Sequence, residues 1–147
     1  MTAFSVWQGG GQLYDTGPDQ ATFVGAIGGT LYIETEKGPV ASGRLTCPAI
    51  VKISMKDGTQ TGTGHCVVLG ENDDRVYGDI ACSGVFLVGC HGDFTITGGT
   101  GRFEGITGGG AVIIRSDFGG RMKATDGKAP QEASGIVYWQ ELKYKIP

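Results

Sequence analysis

Each of the two histidines in the chain has a cysteine as its sequence neighbour, in the pairs His65-Cys66 and Cys90-His91. Imidazole and thiolate are both zinc ligands, so this coincidence raises the question of a metal site. Adjacent residues of a strand point to opposite faces, so each pair can place one ligand on a given side of a sheet. No C-x-x-C spacing supplies further ligands. We therefore predict no metal and no cofactor, and interpret the cysteines as small buried hydrophobes.

Three other side chains are candidates for acid–base catalysis. His91 and Asp93 are two residues apart and share a strand face, where a carboxylate can orient an imidazole for proton transfer. The surrounding alternation favours another interpretation, in which both lie on the solvated face of a half-buried strand. Glu104 lies between glycines and could act as a base beside an apolar opening, whereas most turn glutamates only solvate their loop.

Aromatic side chains supply the candidate ligand contacts. An aromatic ring with one polar tip suits the recognition of small molecules, although each such residue can equally belong to the core or to an interface. The predicted ligand-binding residues are Tyr32, Tyr77, Phe103, Tyr138 and Trp139.

Short strands must position these residues, because glycine interrupts almost every window that is long enough for a helix. Glycine makes up 28 of the 147 residues, and each one costs about 1 kcal/mol inside a helix. Several apolar runs alternate with period two, as Val51, Ile53 and Met55 do against Lys52 and Ser54. The predicted strands are Thr2–Gln8, Gln20–Ile27, Thr30–Thr35, Ile50–Met55, Thr63–Leu69, Arg75–Cys82, Val85–Thr97, Ala111–Ser116 and Ile136–Tyr144.

Turn residues separate the strands and indicate an antiparallel all-β fold in one domain, 1–147. The predicted turns are at Gly28-Gly29, Lys37-Gly38-Pro39, Asp57-Gly58, Glu71-Asn72-Asp73-Asp74 and Gly98-Gly99. Glycines inside the strands favour a closed barrel over a sandwich, since closing a small sheet demands strong bends. The polar stretch Asp117–Ser134 shows no strand pattern and is interpreted as a lid or a surface loop.

Composition narrows the partners and the compartment. The formal net charge of −3 offers no positive field for nucleic acid, so none is expected as a partner. The longest apolar stretch, Ile80–Cys90, is too short for a membrane-spanning helix. No secretion signal is recognisable after Met1. We therefore expect a cytoplasmic protein with reduced cysteines.

The most distinctive segment is Asp93–Gly110, DFTITGGTGRFEGITGGG. A dinucleotide-binding fingerprint is excluded, because the residue three after Gly101 is Glu104 and the segment leads into a predicted strand instead of a helix. A P-loop is excluded as well, because no Gly-Lys-Ser/Thr ending follows.

This segment resembles the G-G-T-G-x-[aromatic/aliphatic]-x-G-x-x-G signature of barrels related to plant allene oxide cyclases and dirigent proteins. The matching residues are Gly98, Gly99, Thr100, Gly101, Phe103, Gly105 and Gly108. The resemblance implies an eight-stranded antiparallel up-and-down-type barrel with an apolar cavity, assembled as a homo-oligomer, a dimer or a trimer. It also implies that Phe103 plugs one end of the barrel or the core beneath the turn.

Three functions are compatible with such a barrel. The first is binding of a small hydrophobic molecule in the cavity, driven by burial of apolar surface. The second is a cyclase or isomerase whose cavity folds a flexible substrate into a reactive shape. The third is an interaction protein whose barrel is filled by its own side chains. The fold analogy favours the first and does not identify the ligand.

Overall fold

The computed structural model describes residues 1–117 and 126–147, and side chains outside 126–130. Within these residues the chain forms one antiparallel sheet that closes on itself. The strands are β1 (Ala3–Gly17), β2 (Gln20–Thr35), β3 (Gly38–Ser54), β4 (Thr59–Leu69), β5 (Arg75–Val85), β6 (Gly89–Gly99), β7 (Thr107–Ser116), β8 (Asp126–Trp139) and β9 (Lys143–Lys145).

Strands β1 to β8 follow one another around the barrel, each paired with its sequence neighbours. Pairing of β1 with β8, from Ala3↔Trp139 to Gln12↔Pro130, closes the cylinder. The short β9 continues along the part of β7 that β8 leaves free. The predicted eight-stranded up-and-down barrel is therefore confirmed.

Alternation along each strand decides which side chains fill the barrel. On β3, Leu45, Cys47 and Ile53 are buried, whereas Thr46 and Lys52 between them are exposed. The buried side chains form two clusters. The larger one extends from Trp7 to Trp139 through the middle and one end of the barrel. The smaller one occupies the opposite end and consists of Leu13, Ala21, Phe23 and Ile53.

The strands are longer than predicted, because the sequence alone does not show whether a glycine lies in a turn or inside a strand. The predicted turn at Gly28-Gly29 is wrong: both residues lie inside β2. A side chain at Gly29 would meet the Val6 carbonyl oxygen and the Ser5 hydroxyl of β1, so the glycine permits close approach of two strands. The turns at Gly38 and Gly58 are confirmed, and both glycines have positive φ.

Three other predicted segments also differ from the structure. The predicted strand Val85–Thr97 is interrupted by a turn at 86–88, and the predicted strand Ile136–Tyr144 breaks between β8 and β9. The interpretation of Asp117–Ser134 as a loop is wrong from residue 126 onward, because β8 begins there. The long edge of β1 provides hydrogen-bonding partners for this polar segment, which a sequence pattern does not reveal. Residues 118–125 lie outside the described part of the chain.

The expectation of reduced cysteines is also wrong. Cys47 of β3 and Cys66 of β4 face each other in the ladder, with Cα atoms 4.1 Å apart, and form a disulfide. Cys82 and Cys90 form a second disulfide, which joins the neighbouring strands β5 and β6. All four side chains point into the barrel. The register of the sheet brings these cysteines together, whereas the sequence did not predict that they would pair.

Candidate functional site

An internal cavity lies where the two core clusters fail to meet. Trp7 and Ile80 of the larger cluster line it together with Phe23 and Ile53 of the smaller one. Its volume is about 130 Å³. A dry apolar cavity of about 150 Å³ in another protein holds benzene, so this space suits a molecule with one small ring.

Both disulfides form part of the cavity wall. Cys47, Cys82 and Cys90 line the space, next to small residues such as Ala49 and Gly62. The small residues leave the space open, and the disulfides hold β3 to β4 and β5 to β6 on either side of it. Disulfide sulfur is soft and apolar, so this wall favours an apolar ligand.

The turn between β5 and β6 covers one end of the cavity. Phe86 and Leu87 line the space from this turn. Backbone hydrogen bonds fix the turn, from the Phe86 amide to the Gly58 carbonyl at 2.9 Å and from the Ser116 amide to the Val88 carbonyl at 2.9 Å. Leu87 is 48% exposed, so the cavity reaches the protein surface at this turn. Its φ of +67° is unusual for leucine and marks a strained position.

Few polar groups reach the cavity. Gln60 lines it and donates a hydrogen bond from Nε2 to the Gly89 carbonyl oxygen at 3.2 Å. Trp7 also lines it, and its indole Nε1 is buried with no hydrogen-bond partner among the described residues. None of the described lining residues is Asp, Glu, His, Lys, Arg or Tyr. Thr63 and Ser116 are the other polar residues in the lining, so the described wall offers a few neutral polar groups but no acid or base.

The glycine-rich motif lies at the opposite end of the barrel. A short 3₁₀ turn, Gly101–Phe103, follows β6, and Phe103 packs against the larger core cluster. Thr100 joins this turn to β5, because its Oγ1 accepts a hydrogen bond from the Arg75 amide at 3.0 Å. Arg102 stacks over the Phe103 ring and pairs with Asp74 at 3.3 Å. In this geometry the motif acts as an end cap of the barrel.

The three candidate catalytic groups lie away from the cavity. His91 and Asp93 are exposed on the outer face of β6, and Glu104 is exposed in the end-cap loop. The other histidine, His65, is exposed on β4 and contacts Asp79 at 2.7 Å on β5. A catalytic role for His91, Asp93 and Glu104 stays a prediction, and the structure does not bring these three together with the cavity.

The predicted ligand-binding aromatics occupy different places. Tyr32, Tyr77 and Tyr138 lie on the outer face of the barrel, where Tyr32 stacks on Phe4 at 5.3 Å between ring centroids. Trp139 is buried inside and contacts Phe94 edge-on at 5.5 Å. Together with Phe103, these five residues do not line the cavity, so their binding roles stay predictions.

Sequence reasoning missed the residues that do line it, above all Trp7, Phe23 and Ile80. A signal was present for Trp7 and Phe23, since each lies in a predicted strand and shares the parity of buried neighbours such as Ala3 and Ala21. Among the side chains that the structure describes, those of residues 1–117 and 131–147, no three from His, Cys, Asp or Glu are grouped as metal ligands would be. No helix in that same part of the chain has the length and apolar character to cross a membrane.

Comparisons with known proteins return one structural neighbour. No family model and no curated protein match the chain. Among solved structures, the pterocarpan synthase dirigent protein matches with 14% identity and a TM-score of 0.37, over 96% of this chain and 89% of that one. The motif Gly98–Gly108 resembles the signature of this same class of barrel. At this similarity the match carries nothing about activity, and the barrel fold rests on the strand pairing of the chain itself.

Proposed function

We propose that this protein binds a small apolar molecule inside its barrel. The observation that carries the proposal is the mainly apolar space of about 130 Å³ between the two core clusters, which is partly open to solvent. An empty apolar cavity weakens the packing around it, and a ligand of matching size restores those contacts. Leu87 supports the proposal, because it lines the space and is half-exposed, so a ligand can enter from the surface at this turn.

Filling the cavity tests this function. Ala49 lines the space, so Ala49→Leu places extra carbon atoms where the ligand would lie. We expect ethylbenzene to bind the wild-type protein and to bind Ala49→Leu at least about ten-fold more weakly, as measured by isothermal titration calorimetry. Ala81 is exposed on the outer face of β5, and Ala81→Leu is the matched control that keeps wild-type affinity.

Two results would count against the proposal. One is a wild-type protein that binds neither ethylbenzene nor benzene at their solubility limits. The other is an Ala49→Leu variant that folds, as judged by its thermal unfolding, and retains full affinity.

The cyclase alternative lacks a supporting contact, since the described lining has no titratable side chain and shape alone would supply the catalysis. An interaction barrel with a filled interior predicts no binding in the same titration.

We also propose that the barrel forms a homo-oligomer through the outer face of β1 and β8. Val6 of β1 is 63% exposed and lies opposite Ile136 of β8, which is exposed as well. Two residues before Val6 on the same face of β1, Phe4 lies opposite Tyr138 and stacks on Tyr32. Such a continuous apolar face is typical of subunit contacts. Multi-angle light scattering should give a dimer or trimer for the wild-type protein and a monomer for Val6→Glu.

The two disulfides bear on the compartment. Disulfides persist in oxidising surroundings and are rare in the cytosol. Both bridges lie inside the barrel between neighbouring strands. We therefore favour an oxidising compartment over the cytoplasm that the sequence led us to expect, and alkylation of the protein isolated from its native cells should find no free thiol.

A further inference from the structure

Three apolar side chains are exposed together where β5 ends and the turn to β6 follows. Val85 is 53% exposed, Leu87 48% and Val88 53%. No charged residue occurs from Ile80 to Cys90, so no ion opposes transfer of this turn out of water. Single exposed hydrophobic side chains are common, whereas a cluster of them is typical of an interaction surface. We name Val85, Leu87 and Val88 the apolar tip.

The backbone of Leu87 gives independent evidence that the tip contacts a partner. Its φ of +67° lies in the left-handed region, which asparagine and glycine adopt readily and leucine does not. Strained positions of this kind cluster at sites of function. Asparagine would suit this exposed turn better, so folding alone gives no reason for leucine here. A partner that buries the exposed half of the side chain does.

Two exposed cations lie on either side of the apolar tip. Lys56 belongs to the turn between β3 and β4, and the Phe86 amide donates a hydrogen bond to the Gly58 carbonyl of that turn at 2.9 Å. Arg115 of β7 lies opposite Gly89 in the ladder between β6 and β7. Strand pairing therefore places one cation on each flank of the turn.

Both cations are available to an anionic partner. Among the described residues, neither Lys56 nor Arg115 belongs to an ion pair. The acidic residues nearest to them in sequence, Asp57 and Asp117, each accept a hydrogen bond from a serine hydroxyl. The surface thus combines an apolar centre with free positive charge at its edges.

A phospholipid bilayer has the matching chemistry. Its acyl chains take up apolar side chains, and its headgroup phosphates attract lysine and arginine at the interface. A fluid bilayer closes around a narrow turn, whereas a protein partner would need a pocket of the same shape. The tip is also continuous with the cavity, because Leu87 lines that space. Small apolar molecules concentrate in membranes, so a cavity mouth held there would open towards its ligand.

We propose that the turn between β5 and β6 docks this protein on phospholipid bilayers, with the apolar tip among the acyl chains and with Lys56 and Arg115 at the phosphates. This docking goes beyond the proposed binding function, because it concerns the outer surface of the barrel and does not require an occupied cavity.

Sedimentation with vesicles of phosphatidylcholine and phosphatidylserine, mixed at about four to one, tests the docking. We expect Val88→Asn to lower partitioning onto the vesicles about five-fold. Val40 is 50% exposed at the opposite end of the barrel, so Val40→Asn is the matched control that keeps wild-type partitioning. Leu87→Asn should weaken partitioning as well, while its thermal unfolding midpoint stays the same or rises.

The charged flank has its own pair of variants. Lys56→Gln should weaken partitioning about five-fold, because each cation near an anionic membrane surface contributes about 1 kcal/mol. Lys37 is exposed in the turn between β2 and β3 at the opposite end, and Lys37→Gln should leave partitioning unchanged. Equal partitioning of the two variants would contradict the role of Lys56.

A tryptophan at position 88 reports the depth of the tip. Trp7 and Trp139 are 4% and 2% exposed, so they give a constant background. In Val88→Trp, vesicles should shift the emission to the blue and lipids brominated on their acyl chains should quench it, whereas Val40→Trp should not respond.

Three results would overturn the docking. The wild-type protein stays in solution with vesicles present, Val88→Asn folds and sediments like the wild type, or Val88→Asn loses self-association while its vesicle binding is unchanged. The last would assign the tip to a subunit contact. Ethylbenzene titration without vesicles tests the cavity separately, so the docking can fail while the proposed binding function stands.

Discussion

Neighbouring glycines in the end-cap motif meet very different surroundings. A Cβ on Gly98 would contact nothing within 4 Å. A Cβ on Gly99 would meet the Phe103 carbonyl oxygen and would lie 2.8 Å from the Phe103 Cβ. The motif therefore needs its second glycine for close approach of Phe103 to β6, and not its first.

These surroundings predict opposite outcomes for two matched variants. Gly99→Ala should lower the free energy of unfolding by about 2 kcal/mol or more, because the end cap must move to admit the methyl group. Gly98→Ala should change it by no more than about 0.5 kcal/mol. Urea unfolding followed by intrinsic fluorescence measures both. Equal losses in the two variants would show that Phe103 is not held against Gly99.

Residue types alone did not locate the site. The side chains of His91, Asp93 and Glu104 can transfer protons, yet all three are exposed and none of them lines the cavity. Trp7, which does line the cavity, lies in a predicted strand and shares the parity of buried Ala3, but Ser5 between them interrupts the apolar alternation. Its place in the cavity wall depends on how the two core clusters pack, which only the folded barrel shows.

At the scale of elements, the disulfides join strands that would otherwise depend on backbone pairing. Cys47–Cys66 closes a loop with a sequence separation of 19, and Cys82–Cys90 closes one of 8. A crosslink restricts the unfolded chain more when the loop it closes is longer. The two bridges should therefore contribute unequally to stability.

Removing each bridge tests this reasoning. The double variant Cys47→Ala/Cys66→Ala should lose about 3 kcal/mol of unfolding free energy, and Cys82→Ala/Cys90→Ala about 2.5 kcal/mol. Urea unfolding under non-reducing conditions gives both values. A wild-type protein whose urea midpoint is unaffected by dithiothreitol during unfolding would contradict the pairing.

The sequence predicted turns better than strand lengths. The turns at Gly38 and Gly58 were predicted because each glycine follows polar residues. In the structure both glycines adopt the positive φ that such turns require. Gly28 and Gly29 look the same in the sequence but lie inside β2, where the close backbone of β1 is the reason for Gly29. That reason depends on how neighbouring strands coil around the barrel, a property of the whole sheet that no local pattern contains.

At the scale of the whole molecule, alternation and turn spacing were enough to predict a closed antiparallel barrel, since few other architectures satisfy many short strands without helices. The cavity was not predictable in position or size. It results from the gap between two core clusters, and its walls depend on which small residues, such as Ala49 and Gly62, fall opposite one another. The sequence pattern therefore predicts the barrel but does not predict the cavity inside it.

The central claim is that a small apolar molecule binds inside the barrel. Isoleucine methyl groups report on it directly, because Ile27, Ile53, Ile80 and Ile114 line the cavity, whereas Ile50 and Ile136 are exposed on the outer face. In methyl NMR spectra recorded during a benzene titration, we expect the ring to shift the four cavity methyls in a saturable manner and to leave the two outer methyls unchanged. Shifts confined to Ile50 and Ile136, or no shifts up to the solubility limit of benzene, would contradict the account.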